Sequence, residues 1–355
     1  MKRIRIINGR VWDGRRFQHA DVMTEGSSII KLGQGITDEA DFVYDAAGKI
    51  VSAGLVDCHV HMRGISADDI GAAVEMISFP FGVTAAVDAS GDCGDGALMD
   101  TFMVKSAVFV GVIVQEGQVD FAKTQQALNR YGTRTMGIKV MFDTTSTAAV
   151  DLPTLRQICA FAHERGLRVM VHSTNSPVPM GQLSDALGSG DILTHAFHGG
   201  MNHATKEDFA RMRDAQRRGV RLDIGFSGVT HADFSVLRGA LEYGIVPDHI
   251  STDITKRSLF TRGGHYGLTM CMSIAKQLGM KEEDIFRGVT SNPAKALGKE
   301  GEWGVLRMGG VADIAVFDAH TPMFDLTDKT GTRVCGTEGY RCVLTVADGQ
   351  VVYRG

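Results

Sequence analysis

Eight short apolar segments, separated by amphipathic stretches, follow one another between residues 51 and 255 of this 355-residue chain. In order, they are VSAGLVDCHVHM from Val51, VTAAVDAS from Val83, VFVGVIVQ from Val108, TMGIKVMFD from Thr135, LRVMVHST from Leu167, DILTHAFHGG from Asp191, VRLDIGFSG from Val220 and HISTDIT from His249. Segments of helical character, such as DLPTLRQICAFAHERG and ATKEDFARMRDAQRRG, lie between them. Eight strands that alternate with helices predict parallel β/α units, which can close into a barrel. The sequence therefore predicts an α/β fold of the (β/α)8 TIM barrel type.

The two ends of the chain have a different pattern. Short segments with alternating apolar and polar residues occur in the first 50 residues (RIRIING, SSIIKLG) and in the last 50 (ADIAVFDA, YRCVLTVADG, QVVYRG). This alternation is typical of half-buried β-strands. A barrel of about 250 residues leaves about 100 of this chain for another unit. We expect residues 1–53 and 304–355 to form a small β-sandwich domain, and residues 54–303 to form the barrel.

Composition and charge exclude several classes of function. The 37 basic and 41 acidic residues give a net charge of −4, which argues against binding of nucleic acid or of an anionic membrane. No apolar stretch reaches the roughly 18 residues of a membrane span. Six scattered cysteines, without an apolar segment after the basic start, indicate a reducing compartment, the cytoplasm. We expect a small-molecule substrate, and association into a homo-oligomer is compatible with a barrel of this type.

Residue types that bind metals lie near the ends of five predicted strands. They are His59 and His61 on the first strand, Lys139 on the fourth, His172 on the fifth, His195 on the sixth and Asp253 on the eighth. The C-terminal ends of barrel strands meet at one rim, where barrel enzymes have their active sites. His59 and His61 are two residues apart, so a strand presents both on one side to one ion. Each residue alone has an ordinary structural explanation, but their agreement on one rim predicts a metal site.

These segments resemble those of the amidohydrolase superfamily. The matching segments are GLVDCHVHM, IKVMFD, VMVHST, ILTHAFHG, STDIT and SNPAKALG, followed by GVLRMGGVADIAVFD. The resemblance extends over essentially the whole chain and is strongest to the dihydroorotase-like branch, often described as amidohydrolase/deacetylase metallohydrolases. It implies a β/α barrel beside a β-sandwich built from both termini. It also implies a binuclear metal centre, with Zn²⁺ as the expected metal.

The resemblance assigns roles to the residues at the matching positions. His59 and His61 would hold the more buried ion together with Asp253. His172 and His195 would hold the more exposed ion. Lys139 would bridge the two as an N-carboxylated lysine. This modification is chemically reasonable, because a lysine in an apolar strand has a lowered pKa and its neutral amine can take up carbon dioxide.

The implied activity is that of a metal-dependent hydrolase, which cleaves an amide or ester bond of a small molecule. A deacetylase is one form of this activity. A hydroxide shared by the two ions would attack the acyl carbon, because metal binding lowers the pKa of water towards 7. Asp253 would accept the proton and then deliver it to the leaving nitrogen or oxygen.

Two related activities are alternatives. A cyclic amidase of the dihydroorotase or hydantoinase type shares the lysine of the fourth strand, although Met62-Arg63 only approximates the arginine arrangement of a dihydroorotase. An N-acyl-D-amino-acid deacylase would use Cys93, in the turn SGDCGDG, in the bridging position. The presence of Lys139 favours the lysine bridge over the cysteine. It also counts against a deaminase, and the complete ligand set counts against a scaffold without metal.

Three residues near the rim are candidate substrate contacts. His198 lies three residues after His195, and Arg262 and His265 lie in the loop TKRSLFTRGGHYG after the last predicted strand. A cationic loop above the metals would suit a carboxylate on the substrate.

Overall fold

A computed structural model describes residues 2–115, 117–228, 230–261, 266–321, 326–334, 336 and 338–355 of the chain. Its strands are β1 Arg3–Trp12, β2 Phe17–Glu25, β3 Ser28–Gly33, β4 Phe42–Asp45, β5 Ile50–Ala53, β6 Leu55–Val60, β7 Val83–Asp88, β8 Lys105–Gly111, β9 Val114–Gln115, β10 Gln118–Val119, β11 Thr135–Met141, β12 Arg168–His172, β13 Ile192–Thr194, β14 Arg221–Leu222, β15 Ile314–Thr321, β16 Leu326–Thr327, β17 Arg333–Val334, β18 Gly339–Ala347 and β19 Gln350–Arg354. Its α-helices are α1 Val74–Ser78, α2 Gly96–Met99, α3 Phe121–Tyr131, α4 Leu152–His163, α5 Met180–Asp185, α6 Lys206–Arg218, α7 Phe234–Tyr243, α8 Lys256–Thr261, α9 Leu268–Gln277, α10 Glu282–Gly288 and α11 Ser291–Ala296.

Seven strands form a parallel sheet in the order β14–β13–β12–β11–β8–β7–β6, which follows the chain. Strands β6 and β7 are buried at every position, as expected of parallel strands covered on both faces. The predicted eighth strand has no regular strand among the described residues. Instead, isolated parallel bridges join this segment to both edges of the sheet, Asp223 with His249 and Val60 with Ile254. The parallel β/α architecture is confirmed for seven strands, with segment 249–254 between the two edge strands.

Local sequence signals explain where the helices between these strands begin and end. The carboxylate of Asp151 accepts a hydrogen bond from the main-chain N–H of Thr154 and caps α4. Helices α6 and α7 end at Gly219 and Gly244, whose φ angles of 104° and 91° are in the left-handed region that favours glycine. Short connections of this kind return the chain directly to the next parallel strand.

The two ends of the chain form one mixed sheet, in the order β19–β18–β15–β5–β1–β2–β3, with β4 also paired to β1. Strand β5 lies between a strand from each terminal segment, because it pairs with β1 on one side and with β15 on the other. Only Gly54 separates β5 from β6, and a side chain there would collide with Thr84, whose Oγ1 would lie 2.1 Å from its Cβ. This junction couples the terminal sheet to the parallel sheet.

Apolar side chains from β6, β7, β8, β11, β12 and β13 form a buried cluster along the parallel sheet. It includes Val56, Cys58, Val87, Phe109, Met170 and Ile192. On strands that lead to a predicted ligand, the cluster residue precedes that ligand in the chain: Cys58 precedes His59, Met170 precedes His172 and Ile192 precedes His195. The described helices have at most 13 residues, too few to span a lipid bilayer.

Candidate metal centre

A cavity of about 380 Å³ lies at the C-terminal ends of the parallel strands. Five of the predicted ligands line it: His59, His61, Lys139, His172 and Asp253. The sixth, His195, is fully buried next to them, with its ring centroid 4.5 Å from that of His172. The structure therefore brings all six predicted ligands together at one rim.

A larger groove, of about 770 Å³, lies at the other ends of the strands, near Lys105, Arg134 and Trp303. Lys105 and Arg134 are already paired with Asp313 and Asp100, respectively. No predicted ligand is among the described residues that line it. Volume alone would therefore select the wrong region, and the chemistry of the side chains identifies the smaller cavity as the candidate site.

His59, His61 and Asp253 form the first group of donors. The Nε2 atoms of His59 and His61 lie 3.1 and 3.0 Å from Asp253 Oδ1. Burial acts to raise the pKa of Asp253, but the adjacent His59 and His61 hold it well below its ordinary range. The carboxylate is therefore ionised at neutral pH and available to a cation.

Lys139 lies beside this group, with its Nζ 3.2 Å from His59 Nε2. The side chain is almost completely buried in β11. Burial lowers the pKa of Lys139 to about 8, although Asp253 and Asp223 favour the charged form. About one tenth of the amine is thus neutral at pH 7, far more than for an ordinary lysine, and this is the form that can take up carbon dioxide.

His172, His195 and His231 form the second group of donors. One ring nitrogen of each lies within 4.8 Å of those of the other two. The Nε2 atoms of His172 and His195 are buried without a hydrogen-bond partner, and Asp143 Oδ2, 3.4 Å from His172 Nε2, lacks hydrogen-bond geometry. Buried polar atoms are normally paired. Nitrogens without a hydrogen-bond partner on two of the three clustered rings fit a shared metal ion.

Hydrogen bonds orient the rings of His59 and His61. Nδ1 of His59 lies 2.9 Å from Thr194 Oγ1, and Nδ1 of His61 lies 2.9 Å from Ser66 Oγ. Each hydroxyl in turn donates to a buried carboxylate at 2.7 Å: Asp223 for Thr194 and Asp88 for Ser66. Each hydroxyl can therefore accept from Nδ1–H, which leaves each Nε2 directed at Asp253 Oδ1 and able to bind a cation once it carries no proton. Such outer contacts orient histidine ligands in metal sites.

The backbone is strained at two of the predicted ligands. His195 and Asp253 have φ angles of 59° and 48°, a region that costs non-glycine residues on the order of 1 kcal/mol or more. Nδ1 of His195 donates to the carbonyl of Gly225 at 2.7 Å. A side chain at Gly225 would bring its Cβ to 2.6 Å from that nitrogen, so only glycine allows this approach.

His231 is a member of the site that the sequence analysis missed. Its Nδ1 lies 2.9 Å from Thr174 Oγ1, and its Nε2 lies 3.9 Å from Asp253 Oδ2. Burial lowers the pKa of His231 to about 3, so the ring is neutral and can donate a lone pair. His231 follows the seventh predicted strand, VRLDIGFSG, at a distance of three residues. A histidine soon after a predicted barrel strand could have indicated a rim residue. His231 was missed because it lies in the loop after the strand and not within the strand itself.

The remaining predicted contacts have different outcomes. His198 is fully buried and is not among the described residues that line the cavity, while its Nδ1 accepts from the N–H of Gly200. Arg262 and His265 lie outside the described residues. Cys93 is exposed and belongs to neither group of donors, whereas its neighbour Asp92 lines the cavity.

Comparison with known proteins gives a match to one family over most of the chain. The model of the Amidohydrolase family matches residues 50–352. A curated protein from Enterococcus faecalis, named a deacetylase, is 27% identical over 375 residues, covering 98% of this chain and 98% of that protein.

Two solved structures share the fold. A dihydroorotase superposes with a TM-score of 0.85 at 23% identity, covering 100% of this chain and 98% of the other. An adenine deaminase superposes with a TM-score of 0.84, also at 23% identity, and both chains are covered completely. At this level of identity the two structures support the fold alone.

Proposed function

Because the chain belongs to the Amidohydrolase family, we propose that it is a metal-dependent hydrolase that cleaves an amide or ester bond of a small molecule, acting as a deacetylase. The observation that carries the proposal is that two groups of buried donors meet at one cavity, with Lys139 beside them. The relative from Enterococcus faecalis, which is named a deacetylase and is similar over nearly its whole length, favours this form of the activity.

Two divalent ions are the cofactors that these residues fit, and nitrogen and carboxylate donors suit Zn²⁺. His59, His61 and Asp253 would hold the first ion. Three histidines would hold the second: His172, His195 and His231. Lys139 would bridge the two ions after its neutral amine forms an N–C bond with carbon dioxide and releases a proton. When bound, the ions lower the pKa of water and polarise the acyl carbonyl.

Asp253 is the residue in a position to move the proton. It lines the cavity, and the neighbouring histidines keep its carboxylate ionised. It would accept a proton from the attacking water molecule and deliver it to the leaving nitrogen or oxygen. Its strained backbone, with a φ of 48°, is consistent with a position selected for function at some cost in stability.

The size of the cavity favours a small substrate, because about 380 Å³ is near the lower end of ordinary ligand pockets. We keep His198, Arg262 and His265 as proposed substrate contacts. Arg262 and His265, which follow segment 249–254 in the sequence, would supply positive charge for a substrate carboxylate. The acidic net charge of the chain gives no support to nucleic acid as a partner.

We also propose that the fold is completed as a barrel. Segment 249–254 would be the eighth strand, since it bridges both edges of the seven-stranded sheet. Residues 54–303 would then form the (β/α)8 barrel. The mixed sheet from residues 1–53 and 304–355 would form the β-sandwich domain.

Homo-oligomerisation and a cytoplasmic location are also proposals. The free state of five described cysteines supports a reducing compartment.

The test of the function is a hydrolysis screen of the zinc-loaded protein. The panel contains N-acetyl and O-acetyl carboxylic acids, lactones, dihydroorotate and an aminopurine, with acid release and ammonia release followed separately. We expect acid release that disappears after chelation and returns with zinc. Hydrolysis of dihydroorotate alone would instead identify a cyclic amidase. Ammonia as the product, or a protein that binds no transition metal, would reject the proposed hydrolase.

A further inference from the structure

A second set of metal-binding side chains lies inside the parallel sheet, apart from the two donor groups of the rim. Cys58 is on β6, Asp223 directly follows β14, and His249 begins the segment that bridges the sheet edges. One ligand atom from each lies within 4.8 Å of the other two. All three residues are completely buried. Three separate parts of the chain therefore bring a thiol, a carboxylate and an imidazole to one closed point.

The hydrogen bonding of this set is incomplete. Neither ring nitrogen of His249 has a hydrogen-bond partner, and Asp223 Oδ1 also has none. Asp223 Oδ2, in contrast, accepts from Thr194 Oγ1 and from Ser251 Oγ, at 2.7 and 2.8 Å. Buried imidazole and carboxylate atoms without partners are rare in folded proteins and point to a bound ion or water. The unpaired atoms belong to the same residues that converge on one point.

The donor set distinguishes between an ion and a water molecule. A water molecule would satisfy the imidazole and the carboxylate, but the nearby thiol would be a poor partner for it. Sulfur, nitrogen and oxygen from Cys, His and Asp are all ligands of Zn²⁺, and thiolate selects zinc over magnesium or calcium. The absence of any solvent exposure resembles structural zinc sites, which are closed.

We propose that Cys58, Asp223 and His249 bind a third divalent ion, zinc by its ligand chemistry, in a closed structural site below the catalytic pair. A buried water molecule would complete the usual four ligands. Because the site has no opening to solvent, the ion enters as the chain folds and is not exchanged afterwards. Binding at this site also fixes the carboxylate of Asp223, which holds Thr194 and, through it, His59.

The sulfur ligand separates this site from the rim, where all proposed donors are nitrogen or oxygen. The protein is expressed with zinc and dialysed against a chelator, and the remaining metal is counted by native mass spectrometry. X-ray absorption at the zinc edge then identifies its ligands. We expect about one zinc per chain to remain, with a sulfur neighbour at about 2.3 Å. Because this result depends on the wild-type protein, it does not require that any variant folds.

Three cysteine variants assign the sulfur. Cys58→Ala should lose both the retained zinc and the sulfur neighbour, whereas Cys159→Ala, a matched buried thiol outside the set, should keep both. Cys93→Ala should also keep both. The proposal is overturned if the chelated wild-type protein holds no zinc, which would leave a buried water only. It is equally overturned if the sulfur signal disappears in Cys93→Ala. A protein that binds no metal at the rim would still retain one zinc ion with a sulfur neighbour. Failure of the hydrolase proposal can therefore be distinguished from failure of this one.

Discussion

The polar side chains inside the parallel sheet form two layers that differ in what surrounds them. The rim layer, which contains His59, His61 and Asp253, opens on a cavity of about 380 Å³. The deep layer, which contains Asp223 and His249, is completely buried. A Thr194 hydroxyl connects the layers, because it contacts both His59 and Asp223. Side chains of the rim layer that exchange protons with a substrate must be reachable by that substrate. Side chains of the deep layer, which hold ligand side chains in place through hydrogen bonds, are better shielded from water.

The largest effect should come from the charge of Asp253. We expect Asp253→Asn to lower kcat by roughly 10²- to 10⁴-fold, because the amide cannot accept and return a proton. The measurement is kcat per bound metal ion on the best substrate from the screen. Asp248→Asn, at an aspartate five residues earlier that does not line the cavity, should stay near the wild-type value. Full activity in Asp253→Asn would remove the proton-transfer role from the rim layer.

Loss of the Asp223 carboxylate, which accepts a hydrogen bond from Thr194, should have a smaller effect on the enzyme than loss of the Asp253 carboxylate. We expect Asp223→Asn to lower the metal affinity of the rim by about 10- to 100-fold, since contacts behind a histidine ligand usually contribute this much. Competition with a fluorescent chelator measures the affinity. The matched control is Asp191→Asn, a fully buried carboxylate that holds the His163 ring and the main chain of Val169. Equal affinity in the two variants would argue against a functional connection between the layers.

Carboxylation of Lys139 should depend on pH in the metal-free protein. Its pKa is lowered to about 8, so the neutral amine predominates above that value and decreases about tenfold for each pH unit below it. Reactivation of the chelated protein with zinc at constant carbon dioxide pressure should therefore accelerate with pH and level off above about pH 8. Stopped assays of recovered activity follow this rate. A rate independent of pH between 6 and 8 would contradict a carbamate bridge.

The smallest effect should come from the exposed thiol near the rim. Cys93→Ala should leave metal content and kcat/KM within about twofold of the wild-type values, because Cys93 belongs to neither group of donors. Metal analysis and steady-state kinetics test this directly. A loss of one rim metal in Cys93→Ala would favour the cysteine bridge and the deacylase alternative over the lysine bridge.

The strand pattern was sufficient to locate the rim ligands that lie on strands or at their ends. His59 and His61 could be predicted because period-two geometry places both on one face, and Lys139 was unusual within an apolar strand. His231 could not be found in this way, because it lies in a loop whose path depends on contacts such as the bond from Thr174. The eighth strand was also predicted by its apolar residues, but its pairing is limited to isolated bridges.

The sequence by itself determined the alternation of strands and helices, the pairing of the two chain ends and the residue types at the rim. These features follow from local periodicity and from turn residues such as Gly219 and Gly244, which act over a few neighbours. Only the tertiary structure decided that Cys58, Asp223 and His249 meet, because these residues come from positions up to 191 apart in the chain (249 minus 58). Convergence of this kind depends on how the strands are arranged around a common axis, which no local pattern specifies.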